Sequence, residues 1–204
     1  MTVPSNTFCI LPWLHMYVNP DGSVLPCCVG EINEPLGNVR LNTIKEIWND
    51  TPYKHMRKNM LEGKESVECT NCYKAEQYGV ESFRQNKNRT LDWMISMDEI
   101  NEMTNPDGSL NQFKMRYWDN RFSNVCNLAC RMCSPEYSHT IAKEEDRTFQ
   151  GSHIVKAQDS DDWDQIIKKY GPFDVVCMEN GAYNEKWKPV HMMPFQSMQA
   201  CIDL

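Results

Sequence analysis

Cys126-Asn-Leu-Ala-Cys130-Arg-Met-Cys133 places three cysteines on one short stretch, with three and then two residues between them. In a chain of 204 residues with ten cysteines, this spacing is expected by chance only about 0.02 times. A structural zinc site is normally closed by four ligands, often in CxxC pairs, and buried free thiols keep no fixed spacing. Three thiolates on one loop suit a cubane iron-sulfur cluster better, because they hold three irons and leave the fourth open. An open iron is a place for a ligand to bind.

The residues before this stretch read as a strand. Phe113-Lys-Met-Arg-Tyr117-Trp-Asp119 alternates in strand fashion, and Pro135 to Glu145 has helical character. The order strand, cysteine loop, helix is how a parallel α/β barrel or sheet presents a cofactor at the carboxyl end of a strand.

A second set of cysteines lies near the N-terminus. Phe8-Cys9-Ile-Leu-Pro12-Trp13-Leu-His15-Met-Tyr17-Val leads into Asn19-Pro20-Asp21-Gly22, which is strong turn chemistry, and Ser23-Val-Leu-Pro26-Cys27-Cys28 returns. The expectation is a β-hairpin with Cys9 on one arm and Cys27 or Cys28 on the other. Asn42-Thr43-Ile-Lys-Glu46 has a capping-box pattern, with Ile44, Ile47 and Trp48 on one apolar face. Pro52 opens a second helix through Leu61, with Tyr53, Met56 and Met60 inward and Gly63 as its stop. Glu68-Cys69-Thr-Asn-Cys72 follows, a CxxC that alone is an ambiguous metal or redox pair. With Cys9 and Cys27 it makes four thiols. Residues 81–112 are polar with one helical stretch, Leu91 to Met103, and Asn105-Pro-Asp-Gly108 breaks the chain.

Composition bounds the function classes. A formal net charge of -7 and a pI near 5.3 give no electrostatic reason to expect nucleic acid. The N-terminus has neither a basic nor an apolar signal region, and no run approaches the ~20 apolar residues of a membrane span. These features predict a cytoplasmic protein, where clustered cysteines mean metal or redox chemistry more often than disulfides.

The segment Arg121-Phe-Ser-Asn-Val-Cys126-Asn-Leu-Ala-Cys130-Arg-Met-Cys133-Ser resembles the radical S-adenosylmethionine (SAM) enzymes, whose CxxxCxxC signature lies on the loop after the first barrel strand. Cys9, twelve residues, Gly22, four residues and Cys27 resemble the opening of the SPASM and twitch auxiliary-cluster domains. The two resemblances cover roughly residues 6–150. They imply that Cys126, Cys130 and Cys133 hold a 4Fe-4S cluster that binds SAM. They also imply that Cys9, Cys27, Cys69 and Cys72 hold a second, auxiliary 4Fe-4S cluster, with Cys28 as the alternative to Cys27. Met132 stands where the family commonly packs an aromatic residue on the SAM adenine. The implied activity is reductive SAM cleavage to a 5'-deoxyadenosyl radical that modifies a peptide, protein or other substrate, with an electron donor as partner; no protein side chain is assigned as catalytic.

The last part of the chain changes character. Asp162-Trp-Asp-Gln-Ile-Ile-Lys-Lys-Tyr-Gly171-Pro reads as a helix and its stop, and Val175 to Met178 as a short buried strand. Glu179 to Pro194 resembles the late part of a metallo-β-lactamase-fold hydrolase, which implies a metal role for Asp159 and His191. No HxHxDH motif accompanies them, since the other histidines are His15, His55, His139 and His153. One His and one Asp do not hold a binuclear site, so His191 reads as a relic or a structural residue. Cys177 and Cys201 read as small buried hydrophobes.

The expected fold class is α+β: a cysteine-rich β-hairpin and helix domain over residues 1–108, the start of a radical SAM barrel over 109–155, and a hydrolase-like tail over 156–204. The family's GGEP-like SAM-binding segment is absent, and fewer than 100 residues follow Phe113, so a truncated or chimeric barrel without activity is one expectation. A non-catalytic iron-sulfur or zinc module is the first alternative function, and a fragmentary metal-dependent hydrolase the second.

Overall fold

The computed structural model describes residues 3–121, 124, 130, 133–149 and 175–177. The chain forms two compact units, one of Met1–Val18 with Gly22–Trp118 and one of Asn19–Asp21 with Asp119–Leu204. Helices and a small sheet make it an α+β fold. No helix among the described residues is long and apolar enough to cross a membrane.

In the first unit, β1 (His15–Val18) and β2 (Ser23–Leu25) pair antiparallel, with Tyr17 opposite Leu25 and Val18 opposite Val24. All of β1 is buried, so its aromatic and branched side chains are covered on both faces instead of alternating. On the other edge of β2 lies β3 (Gly37–Asn38), which sets Asn38 opposite Ser23. The expected turn joins β1 to β2.

The structure corrects where Cys9 sits. It is not on a strand: a short 3-10 helix, Leu11–Trp13, separates it from β1. Pro12 stands at the start of that helix, where its fixed φ suits the turn and its missing N–H is not needed. Cys27 likewise lies beyond β2, after Pro26, which cannot donate to a ladder. Both cysteines therefore leave the open end of the hairpin, away from the Asn19–Gly22 turn.

Two helices close the core as the apolar periodicity predicts. The first, α1 (Ile44–Trp48), has the expected capping box between Thr43 and Glu46. The second, α2 (Thr51–Leu61), is capped by Asp50 and ends before Gly63 at φ 73°. Ile44, Ile47, Trp48, Tyr53, Met56 and Met60 are all buried, each large side chain contributing about 1.5–3 kcal/mol. Arg57 is fully buried among them, its Nε donating to the Pro12 carbonyl at 2.9 Å and its Nη1 to the Trp48 carbonyl at 2.7 Å. It thereby ties the 3-10 turn beside Cys9 to the end of α1.

Residues 81–112 are more ordered than their polarity predicts. A helix α4 (Phe83–Thr90) precedes the expected helical stretch, itself shortened to α5 (Met97–Met103) because Ser96 caps it. Between α2 and α4 runs α3 (Thr70–Gln77). The first unit continues through Leu110 and Met115, both buried, to Trp118.

Within the second unit, the end of β4 (Tyr117–Asn120) lies beside β5 (Val175–Cys177). The helix α6 (His139–Phe149) follows the cysteine loop. Strand, loop and helix therefore come in the order expected for residues 113–145. The helix read over Asp162–Tyr170 falls outside the described residues.

Candidate metal centre

Cys9, Cys27, Cys69 and Cys72 line one cavity in the first unit. Leu11, Pro12, Pro26, Val29 and Phe83 supply most of the remaining wall, with Glu68 and Arg84 as its charged members. Cys9, Cys27 and Cys72 are 6%, 8% and 7% exposed, and Cys69 is partly exposed. Cys28 is exposed and stands outside this lining.

Three local devices bring in the four thiols. Cys9 is held by the two peptides that flank it. The Phe8 carbonyl accepts from Asn88 Nδ2 at 2.9 Å and from Arg84 Nη1 at 2.6 Å, while the Ile10 N–H donates to Asn88 Oδ1 at 2.8 Å. Cys27 sits in a tight turn closed by the Gly30 N–H on its own carbonyl at 3.0 Å. Cys69 is the N-cap residue of α3 and Cys72 lies in that helix's first turn, so the CxxC faces the positive end of a helix. Two bonds join the loops: the Glu31 N–H donates to the Glu68 carbonyl at 2.9 Å, and Asn71 Nδ2 donates to the Val29 carbonyl at 3.1 Å.

Burial pushes the Cys9 thiol up to about 12, against the Leu11 N–H that donates to its sulfur; the Cys72 charge adds to the rise and Arg84 opposes it. Cys27 and Cys69 are pushed well above the ordinary thiol range by burial and then by the charge of Cys9. The Val29 N–H donates toward Cys27. Cys9, Cys27 and Cys69, buried in an apolar enclosure, keep their protons unless a cation replaces them, and metal loading must release those protons.

Thiolates of one tetrahedral zinc lie about 3.8 Å apart, given Zn–S near 2.3 Å. Among the described residues no three His, Cys, Asp or Glu side chains converge in this way on a single ion. Thiolates that each bind a different iron of a cluster stand further apart. Four thiols share the lining of one cavity, and N–H donors to Cys9 and Cys27 are the kind of bond that tunes a cluster.

The second set of cysteines lies in the other unit. Cys126 and Met132 lie outside the described residues. Cys130 is exposed and Cys133 half-buried, with the Cys133 N–H donating to the Cys130 carbonyl at 3.0 Å. The ends of the loop are drawn together, since Asn124 accepts from the His139 N–H at 2.7 Å and donates to the Pro135 carbonyl at 3.2 Å. Asp159 and His191 also lie outside the described residues.

Residues 9–73, about a third of the chain, match the SPASM family, described as an iron-sulfur cluster-binding domain. This segment, which carries all four cavity cysteines, is therefore a SPASM-type iron-sulfur cluster-binding domain. The chain is also similar to the outer membrane protein RomA of Klebsiella pneumoniae, with 50% identity over 39 residues. That similarity covers 19% of this chain and 30% of RomA, so the chain spans less than a third of that relative. No solved structure matches significantly. The hydrolase-like reading of the tail finds no support in these comparisons.

Arg84 and Asn88 lie beyond the matched segment, and no cysteine spacing points to them. The signal that could have found them is Ser82-Phe-Arg-Gln85, a capping-box pattern realised at α4: Ser82 accepts from the Gln85 N–H and Gln85 from the Ser82 N–H.

Proposed function

We propose that the chain is a radical SAM iron-sulfur protein in which Cys9, Cys27, Cys69 and Cys72 hold an auxiliary 4Fe-4S cluster and Cys126, Cys130 and Cys133 hold the one that binds SAM. The observation that carries this reading is the meeting of the four N-terminal thiols around one apolar cavity inside the SPASM-type segment. The CxxxCxxC loop between β4 and α6 supplies the second half. When bound there, a cluster with an open iron would supply the electron that cleaves SAM to methionine and a 5'-deoxyadenosyl radical.

This chain's own residues bind, orient and exclude water. The apolar wall around the auxiliary site keeps solvent from the sulfurs, the Leu11 and Val29 N–H groups orient two of them, and Asn88 and Arg84 hold the Cys9 segment. Met132 supplies a soft apolar surface for the SAM adenine. The substrate class is a peptide or protein, and an electron donor is a necessary partner.

Anaerobic reconstitution of the full chain tests the reading through iron, sulfide and deoxyadenosine measured on one sample. About eight irons per chain and SAM-dependent deoxyadenosine that Cys126→Ala removes are the expected results. Zinc at about one per chain, without deoxyadenosine, would replace the reading by a stapled binding module.

A further inference from the structure

Arg84 is 5% exposed and is the one cation lining the thiol cavity among the described residues. Its partner Glu76 does not line that cavity; with Arg84 it borders a polar groove on the outer side. The guanidinium thus stands between the thiols and its carboxylate, with Nε on Glu76 Oε1 at 3.0 Å and Nη2 on Oε2 at 2.5 Å. Ser82 Oγ adds a bond to Oε1 at 2.5 Å, fixing the carboxylate on the far side. The remaining charged group lining the cavity is Glu68, 9% exposed.

The same side chain is mechanically placed. Glu76 lies one turn after Cys72 on α3, and Arg84 Nη1 reaches the carbonyl of Phe8, the residue before Cys9. A continuous path, Cys72 through Glu76 and Arg84 to Phe8 and Cys9, joins two thiols that are 63 positions apart in sequence.

We propose that Arg84 is a positioning residue for the auxiliary centre, holding Cys9 against the Cys72 helix, and that its charge makes the centre easier to reduce. The proposal rests on the cluster reading above. An iron-sulfur centre with four thiolates gains one negative charge when it takes up an electron, and a buried cation stabilises that added charge where water cannot screen it.

The test uses the full chain carrying Cys126→Ala, Cys130→Ala and Cys133→Ala, so that the auxiliary centre alone is titrated. After anaerobic reconstitution, its midpoint potential is followed by electron paramagnetic resonance. Arg84→Gln is expected to lower the potential and Glu76→Gln to raise it, while Arg84→Lys keeps the potential near the parent value but loses iron faster, since a lysine cannot make the two-point fork. Opposite shifts from the two neutral variants separate a charge effect from general disturbance.

If Arg84→Gln does not retain iron, Glu76→Gln decides by itself, and an unshifted potential there overturns the proposal. Unshifted potentials in both overturn it while leaving the cluster reading intact. Failure of the parent chain to take up iron and sulfide overturns both.

Discussion

Cys27 and Cys28 are adjacent in sequence and stand in opposite surroundings: Cys27 is 8% exposed and lines the thiol cavity, whereas Cys28 is exposed and outside it. The turn that the Gly30 N–H closes on the Cys27 carbonyl directs one of two equivalent residues inward. Cys27→Ser is therefore expected to abolish iron uptake at the auxiliary centre, and Cys28→Ser to leave it unchanged. Iron and sulfide analysis in the background lacking the three loop cysteines distinguishes them, and equal loss in both would assign the ligand wrongly.

Asn88 uses both ends of its amide on the peptides around Cys9. Asn88→Leu removes both bonds; Arg84 still donates to the Phe8 carbonyl, but the buried Ile10 N–H is left without its acceptor, which costs about 2 kcal/mol. A fall of that size in urea-unfolding stability is expected, with faster bleaching of the visible absorbance in air. Wild-type bleaching in a destabilised variant would show that Asn88 serves the fold and not the site.

His15 is 2% exposed on β1, its Nδ1–H donating to the Tyr117 carbonyl at 3.1 Å and its ring 4.2 Å from that of Tyr117. Burial lowers its pKa from 6.5 to about 3, so the folded state keeps the ring neutral while the unfolded chain binds a proton below about 6.5. Stability from this group is complete above pH 6.5 and falls progressively as the pH drops toward 3. Denaturant midpoints of the parent and His15→Gln across that window check this, the variant being expected to show the shallower dependence.

Gly108 carries a φ of +85°, and a Cβ there would lie 2.0 Å from the Lys54 carbonyl oxygen of α2. Both the backbone conformation and the close approach require glycine. Gly108→Ala is expected to cost about 3 kcal/mol in a urea titration. Gly108→Asn, which tolerates the conformation but not the contact, should be no better, and rescue by Asn would mean that conformation alone matters.

Legibility of the fold from sequence followed the kind of signal each element carried. The Thr43–Glu46 box, the Asn19–Gly22 turn and the apolar faces of α1 and α2 announce themselves through capping chemistry and periodicity, and the structure has them. Spacing and family resemblance together single out Cys9, Cys69 and Cys72 and leave Cys27 and Cys28 as alternatives, and the structure places Cys27 on the cavity. By contrast α4 carries no apolar stripe, because its buried member is a charged residue, Arg84, among Gln, Asn, Lys and Thr. Apolar periodicity does not register a helix whose inward work is done by hydrogen bonds to another segment's backbone. Cys9 departs from the expected strand for a related reason: aromatic residues on both sides of Pro12 imitate one strand, while the proline folds them into a turn.

Three of the four cavity cysteines are sealed and the fourth, Cys69, keeps a partly open side at the head of α3. The enclosure thus has a front door. An incoming iron carrier, a chelator or dissolved oxygen meets the Cys69 corner first, while Cys9 lies behind the α4 clamp. Assembly and damage of whatever the four thiols hold are therefore expected to start from the Cys69 side.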